Sequence, residues 1–142
     1  MSVGRFIVSV IVAFVIYAAL YAGLMMGLLS DVYSANAALM RPEAEAMPVL
    51  AMGGHLIQTI IVVALFNLAV GSSDIKAGGR FGLLMGGYLA ATDMGIYGGM
   101  LFDLAPLPYS IVIHLFVGAV VGMALAKLYP AEGDAAGDNV PA

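Results

Sequence analysis

The chain contains no cysteine, which excludes a disulfide framework, a thiolate metal site and a cysteine nucleophile. It contains no tryptophan either, so an aromatic belt at a lipid–water boundary has to be built from tyrosine. Charge is also scarce. Asp, Glu, Lys and Arg make up 10% of the 142 residues, whereas a soluble domain needs roughly a quarter of its residues charged to cover its surface. The net charge of −4 leaves no basic patch for nucleic acid. Catalytic signatures are missing too: there is no nucleophile elbow, no HExxH pair of histidines, no phosphate-cradling loop and no pair of acids at catalytic spacing. Ser9 and Ser110 have no evident base beside them in sequence. These absences point away from an enzyme.

What is present is apolar: 63% of the residues are hydrophobic. They gather in four runs, over residues 6–29, 48–70, 81–101 and 109–128. Each is about as long as the ~20 residues a helix needs to cross a hydrocarbon core of ~30 Å. Helix is the expected state, because unpaired backbone groups in lipid cost several kcal/mol each. The expected fold is therefore all-α, a transmembrane four-helix bundle over residues 1–129, followed by an acidic cytoplasmic tail over 130–142. The first run is too long for the apolar part of an ordinary signal peptide and reads as a retained span.

Basic residues set the orientation. Four crossings put the N-terminus, the middle loop and the C-terminus on one side, with Arg5, Lys76, Arg80 and Lys127, and leave only Arg41 on the other. The positive-inside rule then gives an N-in, C-in topology. The first outer loop is expected to carry a short helical segment. Ser30-Asp31 reads as an N-cap for a helix through Met40, and Arg41-Pro42-Glu43-Ala44-Glu45 reads as a helix start, with proline and acids in the first turn. Gly71-Ser72-Ser73-Asp74 and Gly78-Gly79 are expected to separate the second and third helices, and Pro106 and Pro108 to mark the outer turn between the third and fourth.

Helices in lipid associate through close approach of small residues and through polar contacts. The third run has two small-residue ridges at i+4 spacing: Gly78, Gly82, Gly86 and Ala90, then Gly87, Ala91, Gly95 and Gly99. The fourth run has Gly118, Gly122 and Ala126, and the first has Ala19, Gly23 and Gly27. This pattern predicts a tight bundle with the third helix at its centre.

Counting at 1.5 Å per residue places His55 about 10 Å, Asp93 about 12 Å and His114 about 8 Å below the outer edge. Tyr21 and Tyr97 fall at comparable depth. Gln58 and Thr59 extend the His55 face, and Tyr97 lies four residues from Asp93. An acid within a span faces the bundle and finds a partner, so His55, Gln58, Asp93, Tyr97 and His114 form the candidate polar cluster. In one reading these residues only satisfy one another and fix the helices in register. In others they work: as a haem or pigment site with His55 and His114 as axial ligands, as a proton path through Asp93, or as a copper site. Met25, Met26, Met47, Met52, Met94 and Met100 lie toward the same side, and thioether with imidazole suits Cu(I).

Val32-Tyr33 through Arg41-Pro42-Glu43-Ala44-Glu45, with Arg80-Phe81-Gly82-Leu83-Leu84-Met85-Gly86 later, resembles a group of small bacterial four-helix membrane proteins. That group carries an RPEAEM-like segment after the first helix and RFGLLxG at the opening of the third. Here the segment reads RPEAEAMP, with Ala46 inserted. The resemblance implies bacterial origin and multi-pass residence in the inner membrane. It implies a defined outer feature at Arg41, Glu43 and Glu45, a candidate docking point. Small size, glycine ridges and missing chemistry together predict an accessory or assembly subunit of a larger membrane complex, of respiratory or photosynthetic type, or a homo-oligomer. The alternative is a small transporter or a haem-, pigment- or metal-binding membrane protein using the polar cluster.

Overall fold

A computed structural model describes residues 1–35 and 42–129. Among them the regular structure is helical: α1 (Val3–Ala35), α2 (Pro48–Ala69), α3 (Ile75–Gly99) and α4 (Leu107–Leu128), with a turn of 3-10 helix at Glu43–Glu45. Three helices are long and apolar enough to cross a membrane: α1 over Val3–Val32, α2 and α4. They mark a membrane protein. α3 has the length, but its glycines, Lys76, Arg80 and Asp93 keep its hydropathy below theirs.

Local chemistry explains most helix ends. Proline occupies the first turn of both α2 and α4, where its missing N–H costs nothing and its fixed φ suits the helix. α2 stops at Gly71, whose φ of +53° is a left-handed conformation that glycine adopts freely. Its N–H donates to the Phe66 carbonyl at 3.0 Å. α3 begins at Asp74, whose Oδ1 accepts from the Lys76 N–H at 2.8 Å. The helix therefore starts six residues before the apolar run, and Gly78-Gly79 lie inside it rather than breaking it. Pro108 likewise sits within α4, and Asp103 forms the preceding turn by accepting from the Ala105 N–H at 3.0 Å.

The first outer loop also differs from expectation. No new helix is capped at Ser30-Asp31: α1 continues through them to Ala35, but with a break in helical geometry at Leu29 (φ −123°, ψ 19°). The capping signal thus lies directly after a kink instead of a chain end, and the Ser34 hydroxyl donates back to the Ser30 carbonyl at 3.0 Å. The segment read as a helix start gives a turn of 3-10 helix at Glu43–Glu45, and α2 starts separately at Pro48. Arg41 and the segment up to Met40 lie outside the described residues, as does the tail 130–142.

α4, rather than α3, is the central helix. It buries 44% of its most apolar window, against 17% for α1 and for α2. Its buried residues, Ser110, Ile113, His114, Val117, Gly118, Val121, Gly122, Leu125 and Ala126, recur at three- and four-residue steps, one stripe of a helix. The most intimate contact is α3 on α4; α1 packs on α4, α2 leans on α1, and α2 barely approaches α3. At its glycines the α3/α4 seam has no room for side chains. A Cβ on Gly82 would strike the Gly118 carbonyl, one on Gly86 the His114 carbonyl, and one on Gly122 the Gly78 carbonyl. A Cβ on Gly78 would meet the Ala126 Cβ at 2.8 Å. At the end of the bundle near Gly71, Phe66 meets Phe81 edge to face at 5.4 Å, with Val63, Val121 and Leu125 in the same core cluster. There the Tyr129 hydroxyl donates to Asn67 Oδ1 at 3.1 Å.

Candidate functional site

Toward the opposite end the core turns polar. α4 carries Ser110 and His114 one turn apart, both buried (1% and 3% exposed). α3 carries Asp93 facing them: its Oδ2 accepts a short hydrogen bond from the Ser110 hydroxyl and lies 3.0 Å from His114 Nε2. α1 contributes Tyr17, whose hydroxyl is 3.2 Å from His114 Nδ1. With a carboxylate at Nε2, that nitrogen carries hydrogen and donates. Nδ1 accepts from Tyr17 when the ring is neutral and donates to it when the ring is protonated. The Tyr21 ring stacks on the imidazole at 4.9 Å and on the Tyr17 ring at 5.3 Å. Three helices thus converge in a network running Tyr17, His114, Asp93, Ser110.

Of the residues singled out from sequence, Asp93 and His114 meet directly. His55 does not reach Asp93; its ring lies beside Tyr17, with centroids 6.0 Å apart. Its Nδ1 is buried and makes no hydrogen bond among the described residues, an arrangement that costs about 1–3 kcal/mol. Thr59 is occupied locally, its hydroxyl donating to the His55 carbonyl at 2.8 Å. Gln58 is exposed on the same face of α2. Tyr97 is outside the cluster and pairs instead with Phe102 at 5.5 Å. Tyr17 and Ser110 were missed as members. Ser110 lies four residues before His114 and Tyr17 four before Tyr21, so helical spacing carried both signals. Ser110 has a base one turn away after all, and its hydroxyl donates to the Asp93 carboxylate.

Both nitrogens of His114 are engaged, and axial ligation of a haem iron would require breaking one of those bonds. Among the described residues no three His, Asp or Glu side chains gather at metal-binding distance. Met25 is buried in the core, whereas Met26, Met47, Met52, Met94 and Met100 are exposed. The glycines divide as well. Gly82, Gly86, Gly118 and Gly122 form the α3/α4 seam, while a Cβ on Gly23, Gly27, Gly95 or Gly99 would meet nothing within 4 Å among the described residues. The expected packing role of those four is therefore not filled among the described residues. In the candidate docking segment, Glu45 is exposed.

Beside the network lies a cavity of about 360 Å³, bounded by α2, α3, the Tyr17 ring and Gly118. His55, Gln58 and Thr59 stand at one part of its wall, and Val62, Leu65, Met85 and Leu89 make much of the rest. Tyr17 belongs to both features, lining the cavity and holding His114. Helices and site together define an α-helical membrane protein with a part-buried Tyr–His–Asp–Ser network next to an apolar cavity. Comparison with family models, with characterised proteins and with solved structures finds no match.

Proposed function

We propose that the chain is a multi-pass protein of the bacterial inner membrane, with four spans and both termini on the cytoplasmic side, that binds a small ligand at the polar cluster in its outer half. The single observation that carries the reading is the position of Tyr17, with its ring in the cavity wall and its hydroxyl on the His114–Asp93–Ser110 network. A ligand touching Tyr17 is thereby coupled to the His114–Asp93 pair on two other helices. Proton conduction across the membrane fits less well. On the Gly71 side of the network the core is mostly Val63, Phe66, Phe81, Val121 and Leu125, with the Tyr129–Asn67 pair at its far end.

The test is native mass spectrometry of the full chain, extracted from its own membranes in mild detergent. The wild type is expected to carry a small-molecule adduct, and Tyr17→Phe and Asp93→Asn to lower its occupancy about tenfold while remaining helical. A wild-type chain of bare mass sinks the proposal.

A second reading, an accessory or assembly subunit, is favoured by a different observation. Gly23 and Gly27 on α1, Gly53 and Gly54 on α2, and Gly95 and Gly99 on α3 present faces without side chains that nothing among the described residues covers. Such faces let a neighbouring helix approach closely in lipid. A native-gel mass well above that of the free protein supports this reading, and a mass equal to it counts against it.

A further inference from the structure

We infer that the cavity between α2 and α3 is the seat of a neutral, lipid-soluble molecule bearing a carbonyl or hydroxyl oxygen, with that oxygen against His55 and its apolar body along Val62, Leu65, Met85 and Leu89. The inference rests on the ligand-binding reading above and specifies its ligand and placement.

The cavity volume of about 360 Å³ falls at the small end of the ~300–1,000 Å³ typical of ligand pockets. This suits a ring or a short chain rather than a whole lipid. Polar groups in the wall are restricted to Tyr17, His55, Gln58, Thr59 and Tyr88; the rest is aliphatic, methionine or glycine. No Asp, Glu, Lys or Arg lines it, so a charged head would enter without a counter-charge and lose its hydration uncompensated. The ligand is therefore neutral.

His55 calls for a partner. Its Nδ1 is buried and unpaired among the described residues, against the strong tendency of buried polar atoms to be hydrogen-bonded. The nearby Thr59 hydroxyl is already spent on the His55 carbonyl. A neutral imidazole has one nitrogen that donates and one that accepts; Nδ1 has almost no accessible surface, so a carbonyl or hydroxyl oxygen satisfies it when the ring turns toward the cavity that His55 lines. Entry is lateral. Gln58, Ile61 and Tyr88 at the rim are exposed, and α2 scarcely contacts α3, so the cavity opens on the flank of the bundle where lipid stands.

The chain has only two histidines, so its imidazole carbon resonances can be followed one by one. The full chain, labelled at histidine and held in lipid nanodiscs, is titrated with 2-decyl-1,4-benzoquinone, with farnesol, and with decyl sulfate as a charged counterpart. The His55 signal, assigned with His55→Phe, is expected to move saturably with at least one neutral probe and to stay fixed with decyl sulfate. A response to the quinone alone identifies a carbonyl head, and a response to farnesol a hydroxyl head.

His55→Phe is expected to weaken binding of the responding probe about tenfold, read from the protein's remaining signals. Leu89→Trp, with Ile61→Trp as a second filled-cavity variant, is expected to abolish the shift in whichever folds with wild-type helicity. The inference is overturned by silence of His55 toward both neutral probes, by an equal response to decyl sulfate, or by a shift that survives the filled cavity. A native adduct that Asp93→Asn removes, together with no response at His55, would leave ligand binding standing and sink this placement. Probe binding at His55 by a chain that carries no native adduct would do the reverse.

Discussion

A methyl group added at Gly82 would land on the Gly118 carbonyl, whereas one added at Gly23 would meet nothing. The same substitution is thus expected to have opposite signs at the two positions. Gly82→Ala or Gly118→Ala forces α3 and α4 apart and should cost about 1–3 kcal/mol, the usual scale of overpacking. Gly23→Ala removes backbone freedom at an open helical position and should gain about 0.5–1 kcal/mol. Unfolding midpoints in detergent titrated with SDS check both, and a matching loss at Gly23 would refute the assignment of the seam. Interhelical hydrogen bonds within membranes average about 0.6 kcal/mol. The glycine seam, more than the Tyr17–His114–Asp93–Ser110 network, therefore holds α3 to α4, and the network can be altered without losing the fold. The i+4 spacing made the seam legible, yet it marked Gly23 and Gly27 identically. One sequence states that a ridge exists, not which neighbour it faces. Asp93 and His114 were legible as partners because an acid in a span needs one. Tyr17 was marked only by its four-residue spacing from Tyr21, because a tyrosine in an apolar run carries no such obligation.

At the level of elements, boundaries were read well where an apolar run and a helix coincide, as in α2, and poorly where they part company. α3 starts at Ile75 because Asp74 caps it, ahead of the point where its sequence becomes apolar. Gly78 reads as a breaker by composition, but it is held helical because the α4 backbone lies against it at Gly122. Tertiary contact overrides the weak local cost of glycine in a helix, about 1 kcal/mol. Asp74→Ala is accordingly expected to destabilise the chain by about 0.5–2 kcal/mol, the range for losing an N-cap, and Asp74→Ser to recover most of it. The SDS unfolding midpoint reads this as well; an unchanged midpoint for Asp74→Ala would show that the cap contributes nothing. The kink at Leu29 was visible only as a capping pair, since Ser-Asp reads alike at a helix start and after a bend.

For the whole molecule, the lack of cysteine gives a clean background for mapping topology. Single cysteines at Ser2, Ser73 and Asp103 are expected to divide two against one. In intact cells Asp103→Cys reacts with an impermeant maleimide, while Ser2→Cys and Ser73→Cys react only after the membrane is opened. Labelling of Ser2 and Asp103 from the same face would end the four-span proposal. The plug of Phe66 and Phe81, with Tyr129 tied to Asn67 beside it, closes one end of a bundle whose other end holds the polar groups. In a four-span protein with its termini inside, the two leaflets of the bilayer are then not equivalent. In that proposed arrangement the sealed core of rings lies toward the cytoplasm and the network toward the periplasm, so water that reaches Asp93 and His114 would come from the periplasmic side.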